Sequence, residues 1–318
     1  MASNAETVSA ARLHQHGKPL VVEPVALPDP GPDEVRVELQ FGGVNPIDRY
    51  IAEGSAAPDG PLPRTLGGEA TGTADGRPVL VAGEALGAAR DGVWARAAVV
   101  PARAVVELPD GVEAREAAAM GIAGLTALKV VRELGTVGAE DRVLVLGASG
   151  GVGSMIVSLA HAAGATVWGQ TGSADKIPSI EEHGADRVIV AGADTLAEEL
   201  SGFEPTVVLD PLGDGFLAPV LDALVPRGRI VSYGVSAGAE VTFNLQVLYR
   251  KMISLLGYGG MQLTPEERRP GLEAALEALR AGELRVRIDD VLSLEEVNDA
   301  FKRLVDRRVQ GKLLLALG

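Results

Sequence analysis

The residues whose types and spacing best suit chemistry are those of 143–153, Val143-Leu-Val-Leu-Gly147-Ala-Ser-Gly150-Gly151-Val-Gly153. A short apolar run enters a glycine-rich turn, and helical spacing begins at once with Val152, Met155, Ile156 and Leu159. Gly147 and Gly150 allow backbone angles and a close approach that a Cβ would block. The unpaired N–H groups at the start of the helix, together with its dipole, favour a pyrophosphate there. Gly153 lets the helix pack tightly on its sheet. A glycine pattern alone is weak evidence in a chain with 40 glycines. The order of strand, turn and helix around it carries the reading. The other reading is a structural turn that binds nothing.

The end of the next strand discriminates between cofactors. A site for NAD usually places Asp or Glu about 20 residues further on, bonded to the ribose hydroxyls. Here the segment is Ala165-Thr-Val-Trp-Gly-Gln170-Thr171-Gly-Ser173-Ala-Asp175-Lys176, with no acid at Gln170 or Thr171. Ser173 can donate a hydrogen bond and Lys176 adds a positive charge, while Asp175 is expected to point to a different face from Lys176. This favours NADP(H). A serine cap followed by a solvated lysine is the plainer alternative.

Other chemistries find less support. The chain has no cysteine, which removes disulfides, thiolate nucleophiles and sulfur-ligated zinc. His14 and His16 make a close pair but have no carboxylate cluster beside them, so the reading is a solvated surface and no metal site. Asp48 and Glu69 could form an acid–base pair, although structural roles are the stronger reading. Ser149 and Ser154 stand near glycines without the nucleophile-elbow pattern. A formal net charge of −14 with no basic patch repels phosphate backbones, so nucleic acid is not an expected partner. No apolar run approaches the ~18 residues that span a bilayer. Residues 1–11 lack the basic-then-apolar pattern of a secretory signal. A cytoplasmic protein without a membrane partner is therefore expected.

Two textures position these residues. Residues 20–110 are rich in Pro, Gly and Val, with strand-like runs at 34–41, 78–82 and 97–100, and read as a largely antiparallel β domain. From about residue 115 strands alternate with helices. Residues 115–134 are helical in pattern, although Gly121 and Gly124 interrupt them. Strand-like runs follow at 143–146, 165–168, 187–190, 206–209, 229–233 and 253–256. Six such strands with helices between them fit a doubly wound parallel sheet. Residues 264–282 read as one helix, with Thr264 as N-cap, Pro265 in the first turn and Gly282 at the end. A last strand is expected at 312–317. Trp94, Trp168, Met120, Met155 and Met252 are expected to be core residues.

With these residues in view, the chain resembles the zinc-independent quinone oxidoreductase branch of the medium-chain dehydrogenase/reductase superfamily. The markers are Gly43-Val-Asn45-Pro-Ile-Asp48-Arg-Tyr50, Leu66-Gly-Gly68-Glu69-Ala-Thr-Gly72, Gly124-Leu-Thr126-Ala127, the glycine turn, Asp210-Pro-Leu-Gly213 and Gln310-Gly311-Lys312. The resemblance implies a Rossmann-type doubly wound parallel sheet domain plus a mostly-β GroES-like catalytic domain. Residues 1–118 and 258–318 would form the split catalytic domain and 119–257 the NADP-binding domain, with the active site in the cleft. Asn45 stands where zinc-dependent relatives carry a cysteine ligand, and Gly68 where they carry histidine.

Site roles follow from the resemblance. Thr126, Ser149, Gly150, Gly151 and Val152 would contact the pyrophosphate or nearby ribose, and Ser173 and Lys176 the 2′-phosphate. Leu212, Tyr233 and Gly234 would line the path from adenosine to nicotinamide, with Tyr258 near the nicotinamide. Asn45 would position the nicotinamide ribose or a substrate carbonyl, and Tyr50 is the nearby candidate proton donor. Some relatives clamp the adenosine phosphate with a tyrosine where this chain has Ala191-Gly192. Enoyl-thioester reductases often carry a tyrosine in the loop that here reads Glu53-Gly-Ser55-Ala-Ala-Pro. The implied function is transfer of hydride from NADPH to a quinone or an α,β-unsaturated carbonyl compound without zinc, in a homodimer. Two alternatives stay open: a biosynthetic reductase of a larger enone or thioester, and a catalytically silent NADPH-binding sensor.

Overall fold

A computed structural model describes residues 6–318. The first five residues, part of the stretch read as lacking a secretory signal, lie outside the described residues. The chain divides into two compact units. The first takes the chain up to Leu125 together with Leu263–Arg280 and Ile288–Gly318, and the second takes Thr126–Gln262 with Ala281–Arg287.

In the first unit the strands are β1 (Thr7–Leu13), β2 (Val21–Ala26), β3 (Glu34–Val44), β4 (Arg64–Thr65), β5 (Glu69–Ala74), β6 (Arg77–Ala82), β7 (Ala97–Pro101) and β8 (Val105–Glu107). The second unit contributes β9 (Arg142–Val145), β10 (Thr166–Thr171), β11 (Arg187–Val190), β12 (Val207–Asp210), β13 (Arg229–Ser232) and β14 (Ser254–Gly257). The chain then returns to the first unit with β15 (Ile288–Ser293) and β16 (Lys312–Ala316).

The first unit is mostly β. Along β3, Val37 and Leu39 turn inward while Glu34 and Glu38 face water, the alternation of a half-buried strand. Strand β16 runs antiparallel to β3, with Leu313 opposite Val44 and Leu315 opposite Gly42, and its other edge pairs with β15. Strand β16 buries four consecutive residues, so both of its faces are covered, which suits its unbroken Lys-Leu-Leu-Leu. Trp94 is fully buried beside Gly42 and Gly67, and a Cβ on Gly42 would stand 2.8 Å from its ring.

The second unit is a six-stranded parallel sheet in the order β11-β10-β9-β12-β13-β14. Two halves wind outward from β9 and β12, so the strand order reverses at that point, where open α/β sheets bind ligands. The helical stretch after residue 114 is irregular. Short α-helices at Ala114–Ala117 and Leu125–Leu128 alternate with π turns at Met120–Gly124 and Lys129–Leu134. Gly124 has a reason to be glycine, because a Cβ there would lie 2.6 Å from the Met120 sulfur.

Two core expectations are corrected. Met252 is 54% exposed, in the left-handed region at φ 54° just past the helix Leu245–Arg250. The chain reverses there, so helical periodicity no longer sets which way the side chain faces. Trp168 is half-buried: its ring stacks on Phe203 at 3.9 Å, and the Arg187 guanidinium covers it at 4.3 Å.

Candidate functional site

In the second unit the candidate residues gather after the carboxyl ends of the strands. Strand β9 runs into Gly147 at φ 60°, and the helix Gly151–Ala162 starts from Gly150 as N-cap. Gly150 has no side chain to bond the first-turn N–H groups, so these donors are left for an anion. A Cβ on Gly153 would run into the carbonyl oxygen of Gly147, so this helix start cannot exist with a larger residue there.

Gln170 at the end of β10 holds this turn, a role sequence reasoning missed. Its Oε1 accepts from the Gly147 N–H at 2.9 Å, its Nε2 donates to Ala191 O at 2.6 Å, and its carbonyl oxygen accepts from the Ala148 N–H at 2.9 Å. The amide that replaces the acid of an NAD site is thus turned inward as a strut, and it is buried.

Ser173 stands extended just before a short 3₁₀ turn, Ala174–Lys176, which carries Asp175 and Lys176. The Ser173 hydroxyl donates to the Asp175 carboxylate. Two residues along an extended-then-3₁₀ backbone bring the Asp175 carboxylate back to the serine.

Past β12, the Asp210 carboxylate accepts from the N–H groups of Leu212 at 2.7 Å and Gly213 at 3.2 Å, while burial pushes its pKa up. Tyr233 follows β13, and its N–H donates to Asp210 O at 2.9 Å. Its hydroxyl is buried without a hydrogen-bond partner, and burial followed by the Asp210 charge raises the phenol well above its ordinary value. Gly234 packs against Pro211, and the Tyr258 N–H, just after β14, donates to Ser232 O at 2.9 Å. Thr126 is buried at the start of the helix Leu125–Leu128.

The first unit holds a second, fully buried polar cluster. Asn45 ends β3 and starts the helix Pro46–Glu53, and its N–H donates to the Asp48 carboxylate at 2.9 Å. Its Nδ2 donates to Glu69 Oε1 at 2.7 Å. Lys312, the first residue of β16, donates from Nζ to Asn45 Oδ1 at 2.6 Å, to Val44 O at 3.1 Å and to Glu69 Oε1 at 3.1 Å. The remaining Glu69 oxygen accepts from the Ile122 N–H at 2.7 Å. Gly43 makes room, since a Cβ there would collide with the Glu69 carboxylate. Burial pushes the Asp48 carboxyl up to about 7, with the neighbouring Glu69 charge adding to the rise and the Asn45 N–H and Lys312 opposing it. Tyr50 is half-buried on the same helix, its ring under the Arg49 guanidinium at 4.6 Å.

The histidines stay apart in their bonding. His14 pairs with Glu23 at 2.8 Å, whereas His16 bonds the carbonyls of Ile51 and Pro58.

With this geometry in hand, the comparisons with known proteins decide the family. Quinone oxidoreductase 1 of Escherichia coli is 31% identical over 320 residues, covering 95% of this chain and 98% of the relative. The chain belongs to the quinone oxidoreductase branch of the medium-chain dehydrogenase/reductase superfamily. Within this family a Bacillus subtilis protein solved with NAD bound matches at TM-score 0.84 and 26% identity, over 98% of this chain and all of that one. A mycobacterial protein complexed with NADPH matches at TM-score 0.85 and 25% identity, over 97% and 99%. The model for zinc-binding dehydrogenases matches residues 151–277. Membership makes the chain an oxidoreductase with a Rossmann unit and a GroES-like β unit.

The family description implies zinc, but the donor set does not suit that ion. The cluster around Asn45 offers two carboxylates, an amide and an ammonium, with neither sulfur nor imidazole. Among the described residues no three His, Cys, Asp or Glu side chains come together as a metal would need. A nicotinamide dinucleotide does suit the second unit: a glycine cradle that a Cβ would fill, open first-turn donors, and the orphaned Tyr233 hydroxyl.

Proposed function

We propose that this chain reduces a quinone or an α,β-unsaturated carbonyl compound with NADPH, without zinc. The observation that carries the reading is the Gly147–Gly150 turn, braced by Gln170 with its first-turn donors uncapped, at the point where the strand order reverses. The N–H groups of Ser149, Gly151 and Val152 bind the pyrophosphate beside Gly150, whose own N–H donates to Gly147 O at 3.0 Å, and Thr126 lies by the neighbouring ribose. Ser173 and Lys176 take the 2′-phosphate, with Lys176 supplying charge against the Asp175 carboxylate. Leu212, Tyr233, Gly234 and Tyr258 hold the remainder. When bound, the cofactor supplies hydride. On the chain's side, Asn45 donates a hydrogen bond to the acceptor's carbonyl oxygen, which gains negative charge as hydride adds to carbon and is then protonated, with Tyr50 as the candidate donor.

We further assign a cytoplasmic homodimer. Among the described residues no helix is long and apolar enough to cross a membrane. Strand β14 has an open edge, with Leu255 exposed on it and Met252 exposed just before it, an apolar surface that a second copy would cover.

The test is loss of NADPH absorbance, with NADH in parallel, against quinones and enones before and after dialysis against a chelator. Turnover with NADPH, at least tenfold weaker with NADH and unaffected by chelation, is the expected result. Preference for NADH would overturn the cofactor assignment, and loss on chelation would overturn the metal-free assignment.

A further inference from the structure

An acid does follow β10, though not at its last residues: Asp175 is the first acid in the chain after the glycine turn. A site for NAD places its acid on this part of the fold, where it accepts from the ribose hydroxyls. Gln170 fixes where that part lies, because its side chain and its carbonyl oxygen bond the N–H groups of Gly147 and Ala148. Ser173 follows in extended backbone, at most about 11 Å along the chain from Gln170. An adenosine ribose whose pyrophosphate sits on the turn is within its reach. Ser173 is half-buried and Asp175 exposed, so the pair is open to a ligand from solvent.

What this pair can recognise follows from a count of protons. The Ser173 hydroxyl has one, and it is directed at the Asp175 carboxylate, which can only accept. An ionised phosphate also only accepts. The single Ser173 proton therefore serves Asp175 or a 2′-phosphate, and not both at once. A ribose with a free 2′-hydroxyl meets no such conflict. It brings a proton of its own, and a carboxylate has room to accept it beside the bond from Ser173.

We infer that Asp175 is a specificity-determining residue: it competes with the 2′-phosphate of NADPH for the Ser173 hydroxyl, repels that phosphate, and offers the 2′-hydroxyl of NADH an acceptor. Lys176 thus favours NADPH and Asp175 opposes it, so the preference of the chain lies below what Ser173 and Lys176 would give without the acid. This rests on the reading that Ser173 and Lys176 face the 2′-phosphate. An Asp175 that only shapes the 3₁₀ turn would act on both cofactors alike.

The test is fluorescence titration of NADPH and NADH against the wild type, Asp175→Asn, Asp175→Ala and Lys176→Ala, each checked by thermal melting. Asparagine keeps the shape and an acceptor oxygen but drops the charge. In Asp175→Asn the Kd for NADPH should fall about fivefold, the scale of removing one like charge about 4 Å away in water, while that for NADH does not fall. Asp175→Ala also removes the acceptor, so it should raise the Kd for NADH about threefold while NADPH still gains. It serves as the second probe if the asparagine variant does not fold. A ratio of the two Kd values that stays within twofold of the wild type in a folded variant, or an equal shift for both cofactors, would overturn the inference. Lys176→Ala separates the two levels of the argument. If it weakens NADPH while the Asp175 variants change nothing, the inference alone fails. If it leaves NADPH binding intact, the placing of the 2′-phosphate fails first, and the inference with it.

Discussion

Asp48→Asn tests whether the buried cluster carries a proton under ordinary conditions. In the folded chain burial pushes the Asp48 carboxyl up to about 7 from an ordinary 3.8. A folded-state value above the unfolded one means that the folded chain binds the extra proton between these limits. Stability is then full below about pH 4 and falls as pH rises toward 7, at about 1.4 kcal/mol per unit. The whole effect comes to roughly 4 kcal/mol, of which about 2 falls between pH 5 and 7, and it levels off by about pH 8. An asparagine at position 48 keeps an oxygen to accept the Asn45 N–H and has no proton to lose. The stability difference, variant minus wild type, should therefore grow by about 2 kcal/mol from pH 5 to 7 and level off by about pH 8. The assay is urea unfolding at each pH, read by tryptophan fluorescence. The chain has two tryptophans, Trp94 and Trp168. In a Trp168→Phe background the signal comes from Trp94 alone, which is fully buried in the same unit as Asp48. A difference that stays constant from pH 5 to 8 would refute the reasoning, because Asp48 would then be ionised throughout.

Three more outcomes are expected. Lys176→Ala should raise KM for NADPH roughly tenfold or more and leave that for NADH unchanged, as loss of a charged hydrogen bond to the 2′-phosphate requires. Gln170→Ala leaves the Gly147 N–H and the Ala191 carbonyl without partners, so a loss of about 2 kcal/mol in chemical denaturation is expected, with weaker NADPH binding by fluorescence titration. Lys251 donates to the carbonyls of Leu221, Asp222 and Leu224 at the end of the helix Leu217–Ala223, and Lys251→Met should cost about 1–2 kcal/mol in the same assay with kcat intact.

What could be read from the sequence follows its local content. The six runs of the parallel sheet are short, apolar and bounded by glycine or helix, and each is found as a strand within a few residues of its expected place. The glycine turn was legible because strand, turn and helix are contiguous. Thr264 reads as a cap from Pro265 beside it and Gly282 at the far end, and the Glu267 N–H donates to its Oγ1 at 3.3 Å. The missed roles depend on distant parts of the chain. Gln170 acts on Gly147, 23 residues back, and Lys312 on Asn45, 267 residues back. Periodicity says which way a side chain faces, and it does not say which strand lies opposite. One signal was present: a lysine opening the run Lys312-Leu-Leu-Leu cannot be buried without a counter-charge, and the acids near Asn45 were candidates.

The Lys312–Glu69 pair also shows why burial of charge points here to orientation more than to stability. Desolvation of two ions offsets most of their attraction, and apolar or neutral replacements of a buried pair are often tolerated or even stabilising. A pair kept only to hold β16 on β3 would be replaceable, since Leu313 to Ala316 already pair with residues 41–44 across that edge. Neutral partners would hold the strands equally well but would leave Asn45 free to present either end of its amide. Two ions of opposite sign on the two ends remove that choice. The two accounts therefore separate in one variant: a pair serving stability would lower the melting temperature of Lys312→Met, Glu69→Gln, whereas a pair serving orientation would spare the melt and let the Asn45 amide take either direction, seen by NMR as two sets of its side-chain NH₂ signals.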